Sequence, residues 1–244
     1  MRPRGPWVRK SRAAAGRGAR STGMTDLEAR TTMKAALFDL DGTLIDSERR
    51  SLAMWAMLLD RHGVGHDEVV LRGFMGRRGR DVLAERAHLF PGRRIDELIS
   101  EVMSFNDHPG LPAVVPVPGA ADLVRRVSAY GSSIAVVTSA SPDWAEERLA
   151  ETGIRDLVLT VVSAQDVVVG KPDPEGFLLA ARRLSVDPAH CVAFEDSIAG
   201  IAAAKAAGMR CVGIATTHAG TELTAADLVV ADLTGVEWPP STDQ

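Results

Sequence analysis

From Lys34 onward the chain alternates short, nearly continuous apolar runs with longer stretches whose apolar residues recur at helical spacing. The runs KAALFDL (34–40), SIAVVTS (133–139), LVLTVVS (157–163), CVAFED (191–196), CVGIAT (211–216) and DLVVAD (227–232) have the length of strands. Being apolar at successive positions, they suit parallel strands covered on both faces. The stretches between them carry helix-end signals. Ser141-Pro142 starts one helix that Gly153 closes, and Asp173-Pro174 starts another. Ser197 opens IAGIAAAKAAG, for which Gly208 is the stop. Strand–helix alternation of this kind predicts an α/β fold with a doubly wound parallel sheet.

Residues 48–112 break the alternation. ERRSLAMWAMLLDRHG, RGRDVLAERAHLF and RRIDELISEVMSFND are three helical periods with no strand between them. A helical block between the first strand and the next strand–helix unit reads as an inserted cap, and HPGLPAVVPVPGA (108–120), with four prolines, as the return hinge. The expected organisation is a core of residues 33–47 and 113–236, a cap of 48–112, and a tail from 237 to 244.

Charge changes this picture at one end only. The formal net charge is −4, but residues 1–32 carry eight Lys/Arg against two acidic residues, which leaves the body with 20 basic and 30 acidic residues. A body at −10 gives no reason to expect a nucleic-acid partner. The basic leader is rich in Ala, Gly and Ser and shows no apolar period, so it is expected to be disordered. It has no apolar h-region of a secretory signal; a start at Met24 or Met33 is the other reading. No run of about 18 apolar residues exists, so no membrane span is expected. Cys191 and Cys211 sit in or beside apolar stretches and read as buried free thiols of a reducing cytoplasm. A monomer or weak dimer is expected.

In an open parallel sheet, ligands collect at the carboxyl ends of the strands. Four such ends carry unusual chemistry. They are Asp39-Leu40-Asp41-Gly42-Thr43, Thr138-Ser139, Lys171 in VGKPDPEGF, and Glu195-Asp196. Each alone has an ordinary explanation: a turn, a helix cap, a solvated loop charge, acids at a helix N-terminus. Asp39 and Asp41 are the harder case, because adjacent carboxylates gain nothing by leaving water unless a cation compensates. The alternative is a metal site with one carboxylate free to react. Together, and each at a strand end, the four point to a site.

The set DLDGTLIDS, VVTSAS, GKPDPEGF and FEDSIAGIAAAKAAG resembles the signature motifs of the haloacid dehalogenase superfamily, in the subgroup with a helical cap after the first motif. The likeness covers residues 33–236 and implies a phosphatase that acts on a small phosphorylated metabolite with Mg²⁺. On this resemblance Asp39 is the nucleophile that becomes an aspartyl-phosphate, and Asp41 the general acid and base. The metal ligands implied are the carboxylates of Asp39 and Asp196 with the backbone carbonyl of Asp41. Lys171, the Thr138 hydroxyl and the Ser139 N–H hold the phosphoryl oxygens, and Glu195 orders metal-bound water from outside the ligand set.

Selectivity is expected on the cap, where GFMGRRGR (73–80) offers Arg77 and Arg78, and the first cap helix offers Arg49 and Arg50. Within the subgroup the chain is most similar to sugar-phosphate and polyol-phosphate phosphatases, with phosphoglycolate phosphatases near. Sugar phosphomutases of the subgroup carry a histidine on the first cap helix where this chain has Ser51, which argues for hydrolysis. A non-catalytic sensor or receiver is the other class. The complete set Asp39, Asp41, Lys171 and Asp196 argues against the first and the cap of about 65 residues against the second.

Overall fold

The computed structural model describes residues 33–74 and 76–241; the basic leader 1–32 lies outside the described residues. Among these, six strands form one sheet: β1 (Ala35–Phe38), β4 (Ser133–Val137), β5 (Thr160–Val162), β6 (Cys191–Glu195), β7 (Arg210–Ile214) and β8 (Leu228–Val230). They are the six apolar runs of the sequence. Every pairing is parallel, in the order β5-β4-β1-β6-β7-β8. From β1 the chain builds outward to β5, then returns to build the other way from β6. The reversal leaves a crevice at the carboxyl end of β1, between the ends of β4 and β6.

The burial pattern explains why the strand runs are continuous in apolarity. In β1, Ala36 and Phe38 face one core cluster while Ala35 and Leu37 face the other, and all four are fully buried. Side chains alternate faces along a strand, so a strand covered on both sides must be apolar at every position. Helices α5 (Ala120–Ala129) and α6 (Pro142–Glu151) cover the first face; α7 (Glu175–Leu184) and α8 (Ile198–Ala206) cover the second. Phe38 stacks on Phe194 across β1 and β6 with centroids 4.7 Å apart. Cys191 and Cys211 are buried free thiols, and burial pushes Cys191 up to about 12.

Helix ends obey the local signals. The Ser141 hydroxyl accepts from Trp144 N–H at 3.4 Å with Pro142 in the first turn, and the Ser197 hydroxyl accepts from Gly200 N–H at 3.0 Å. Gly153 and Gly208, at φ +66° and +80°, take the left-handed conformation that ends a helix.

The cap packs around its own core of Met54, Trp55, Leu58, Phe74, Leu83 and Leu98, with further apolar neighbours. Its helices are α1 (Glu48–Arg61), α2 (Glu68–Arg72), α3 (Gly79–Glu85) and α4 (Ile95–Ser104). The sequence does not signal α2, whose five residues are too short to show a period and begin at an Asp67 cap on Val70 N–H. The single helix expected over 78–90 ends at Glu85 and resumes as a 3₁₀ turn, Ala87–Leu89. Where the chain leaves and re-enters the core, two short strands, β2 (Ile45–Asp46) and β3 (Val115–Pro116), pair antiparallel. The segment expected as the return hinge supplies one side of this pair.

The C-terminal boundary expected at residue 236 falls short. Trp238 packs in the first core cluster and its indole N–H donates to the Ser132 hydroxyl at 3.0 Å. No helix among the described residues is long and apolar enough to cross a membrane.

Candidate active site

Asp39 follows β1, Thr138 follows β4 and Asp196 follows β6, so the three adjacent strand ends converge at the crevice. Lys171 enters from the loop before α7. Its ammonium donates to Asp39 Oδ1 at 2.5 Å, to the Val137 carbonyl at 3.0 Å, and to Glu195 Oε1. All of Asp39, Lys171, Glu195 and Asp196 are buried. The oxygens of Asp39, Glu195 and Asp196 lie within 4.8 Å of one another. Among the described residues, Lys171 is the one cation ion-paired to these acids.

Such a cluster resists ionisation. Burial lifts the Asp39 carboxyl above its ordinary value against the pull of Lys171. Asp196 stands well above its ordinary range, first through burial and then through the charges of Asp39 and Glu195. Burial pushes Glu195 up to about 7. For Lys171 burial opposes the charge, but Asp39 and Glu195 outweigh it and hold the ammonium above its ordinary value. Further positive charge is what the cluster lacks.

Glycine is required where the backbone passes this cluster. Gly42 has φ +89°, and a Cβ there would collide with the Asp196 carboxylate. A Cβ on Gly200 would collide with the Glu195 carboxylate, so the small residues of α8 let that helix close on β6. Glu195 Oε2 accepts from the Ser197 hydroxyl at 3.1 Å. Expected to order metal-bound water, Glu195 has Lys171 and Ser197 as its described partners.

Asp41 lies three residues beyond the end of β1 on a different set of partners. Its Oδ1 accepts from the Ser47 hydroxyl at 2.6 Å and from the Trp144 indole N–H at 3.1 Å. Burial, with the Asp39 charge adding, pushes it up to about 6 against those two donors. The Thr43 hydroxyl reaches Asp196 Oδ1 at 3.3 Å, and His218 Nδ1 lies 3.1 Å from the Asp196 carbonyl. Ser47, Trp144 and His218 were not singled out from the sequence. Thr43 and Ser47 belong to the first motif, and His218 lies just past β7, where the strand-end rule could have found it. Trp144 carries no local signal; third in its helix, it reads as an ordinary apolar position.

Asp39, Asp41, Thr138, Ser139 and Asp196 open onto a cavity of about 370 Å³ between core and cap, where Ser51 also lies. Thr138 accepts from Ala140 N–H at 3.0 Å, which leaves its own hydroxyl hydrogen to donate. The cap side mixes apolar residues (Met54, Trp55, Phe74, Ile99) with arginines. Those arginines are engaged within the protein. Arg77 forms a two-point ion pair with Glu85 at 2.5 and 2.9 Å. Arg78 donates across the cavity edge to the Val168 carbonyl at 3.1 Å, fastening cap to core. Arg50 holds the Pro112 carbonyl at 3.1 Å and the Asn106 carbonyl, bracing the return to the hinge.

A family model for haloacid dehalogenase-like hydrolases matches residues 33–208. The chain is 45% identical to the validoxylamine A 7'-phosphate phosphatase of Streptomyces hygroscopicus subsp. limoneus, over 84% of this chain and 97% of that one. It is 36% identical to a fructose-1-phosphate phosphatase of Escherichia coli, over 73% and 94%. A β-phosphoglucomutase from Clostridium difficile superposes with a TM-score of 0.70 at 26% identity, over 84% and 94%. Four sequence motifs meeting at one crevice, and a family match across most of the folded chain, agree: the protein belongs to the haloacid dehalogenase-like hydrolases and is a phosphatase of that family.

Proposed function

We propose that the protein hydrolyses the phosphomonoester of a sugar, polyol or sugar-like cyclic alcohol, with Mg²⁺, through an aspartyl-phosphate on Asp39. The observation that carries this reading is the Asp39 carboxylate, buried and 2.5 Å from the Lys171 ammonium, at the floor of a cavity beside further carboxylates. The donor set fits a hard divalent cation: oxygens only, converging, and short of positive charge. Asp39, Asp196 and the Asp41 carbonyl would hold it, and when bound the ion screens the phosphate dianion from the attacking carboxylate.

The chain's own residues do the rest. Lys171 favours the ionised form of Asp39 against its burial and orients it. The Thr138 hydroxyl and the Ser139 N–H donate to phosphoryl oxygens whose charge the transition state redistributes. Asp39 forms the new P–O bond as the bond to the leaving oxygen breaks, and Asp41 delivers a proton to that oxygen. Asp41 then takes a proton from the water that hydrolyses the acyl phosphate. A carboxyl raised to about 6 suits a group that must hold and release a proton near neutral pH.

The cavity favours a substrate larger than a two-carbon acid, since its volume falls in the range of about 300–1,000 Å³ of small-molecule sites. The two curated relatives above are named for sugar-like phosphates, in keeping with that size. Arg77, Arg78 and Arg50 act mainly by shaping and closing the cavity, because each already has internal partners. A phosphate-release screen over sugar, polyol and short-acid phosphates tests the reading. Release should depend on Mg²⁺ and stop in excess EDTA; full activity in chelator would sink the metal assignment.

The metal reading also sets a pH dependence. Glu195 moves from 4.5 to about 7 and Asp41 from 3.8 to about 6 on folding, and Asp39 and Asp196 move in the same direction. In that window the folded state binds more protons than the unfolded chain, so metal-free stability falls as pH rises. Mg²⁺ competes with those protons. The rise in melting temperature that Mg²⁺ produces should therefore be larger at about pH 7.5 than at about pH 5. An equal shift at both pH values counts against binding by these carboxylates.

The β-phosphoglucomutase likeness motivates a second reading, phosphoryl transfer back to a sugar. Ser51 stands on the cavity wall where the mutases of the subgroup carry a histidine. With β-glucose 1-phosphate the protein should release inorganic phosphate or do nothing. Glucose 6-phosphate formed efficiently, and stimulated by a bisphosphate, overturns the phosphatase reading.

A further inference from the structure

The hydrogen bond from Trp144 to Asp41 has no part in the chemistry described so far, and its geometry is specific. Both donors to Asp41, the Ser47 hydroxyl at 2.6 Å and the Trp144 indole at 3.1 Å, meet the same oxygen, Oδ1. Oδ2 receives no hydrogen bond from the described residues. The two donors come from opposite sides of the hinge. Ser47 lies between β2 and the first cap helix, whereas Trp144 sits in α6 of the core.

Trp144 is fixed by its surroundings. Its ring packs against the first core cluster, and the Arg148 guanidinium lies 4.7 Å above it. Arg148 is in turn held by Glu147 at 2.8 Å and Glu151 at 2.7 Å. Trp144 N–H is bonded to the Ser141 cap, so the first turn of the helix is anchored as well. An indole N–H donates only; it can neither take the proton of Asp41 nor supply one at the pH of the reaction. A hydroxyl, by contrast, rotates, and Ser47 belongs to the hinge.

We propose that Trp144 is a positioning residue for proton transfer: its indole fixes Oδ1 of Asp41 to the core, so that Oδ2 is presented to the leaving oxygen. The inference rests on the proposed role of Asp41. In the step concerned, the P–O bond to the leaving group breaks with its electron pair on oxygen. That oxygen takes the proton from Oδ2, and Asp39 forms the new bond to phosphorus. A misplaced Oδ2 therefore costs most where the leaving oxygen most needs the proton. Displacements of the order of 1 Å in such geometry can cost about 10²-fold.

The test is the dependence of kcat/KM on the leaving group, because kcat/KM covers the steps through its departure. Substituted phenyl phosphates, from 4-nitrophenyl to 4-methoxyphenyl, are assayed with Mg²⁺ against the full chain, Trp144→Phe and Asp41→Asn. Trp144→Phe keeps an aromatic ring and removes the donor. It should steepen the plot of log kcat/KM against leaving-group pKa, with the 4-methoxyphenyl ester losing about tenfold more than the 4-nitrophenyl ester. A purely structural role moves all esters by one factor, and that result overturns the proposal. Asp41→Asn separates the two ideas. If it steepens the plot and Trp144→Phe does not, Trp144 is no positioning residue; if neither does, the role of Asp41 itself is wrong. Should Trp144→Phe fold poorly, the ¹⁵N-labelled full chain gives an independent reading. The Trp144 indole N–H resonance should move in Asp41→Ala, and a resonance that stays in place overturns the contact.

Discussion

Asp39→Asn should lose turnover and phosphoenzyme together, by at least about 10⁴-fold, the scale on which removal of a covalent nucleophile acts. The amide is a poor nucleophile and a weaker ligand for a hard cation. The fold should survive the change. Burial already works against the Asp39 charge, and Glu195 remains to pair with Lys171. Asp41→Asn should behave differently. The proton transfer proposed for it is worth about 10²–10⁴-fold, and its backbone carbonyl would stay available to a metal ion. Acetyl phosphate has a leaving group that needs little protonation, so it should still label Asp41→Asn on Asp39. The decisive measurement is labelling by a ³²P donor after acid quench, with the modified peptide identified. Label that survives in Asp39→Asn and vanishes in Asp41→Asn reverses the two roles.

Lys171→Met should have the second largest effect, on activity and on stability. Asp39 and Glu195 lose their common counter-charge at a site where Lys171 is only 8% exposed. Removing one partner of a buried ion pair costs about 3–5 kcal/mol, because the remaining charge has no water to return to. The loss should be greatest above about pH 7 and shrink as the pH falls through the raised carboxyl range, where Glu195 takes up a proton instead. Met suits the apolar side of the site, since the ammonium lies 5.5 Å from the Phe177 ring. Adding Glu195→Gln should therefore return part of the stability, while activity stays at least about 10²–10³-fold down for want of the fixed cation that orients Asp39. Chemical denaturation of the metal-free parent, Lys171→Met and the double variant across pH measures this. A Lys171→Met protein as stable as the parent at pH 7.5 contradicts the ion-pair account.

Much of this protein was legible in its sequence because the signals are local. Six apolar runs became six parallel strands, and those at the centre of the sheet, such as β1, are buried on both faces and have no position left for a polar residue. Ser141, Ser197, Gly153 and Gly208 marked helix ends because caps depend on one or two neighbouring residues. Asp39, Thr138 and Asp196 could be picked out because each directly follows a strand, with Asp41 just beyond the first of them and Lys171 just before a helix, and the winding of the sheet brings them together. Tertiary structure alone decided what each residue touches. Asp39 and Lys171 are separated by 132 positions, and Trp144 and Asp41 by 103, with no periodicity to link them. The arginines of the cap illustrate the same limit. A sequence displays their charge but not the Glu85 carboxylate or the backbone carbonyls of Asn106, Pro112 and Val168 that engage it. Trp238 joined the core from beyond the expected boundary because burial depends on where the chain returns in space. Period and punctuation are properties of neighbours along the chain, whereas the partners of a buried charge are set by packing between segments far apart in it.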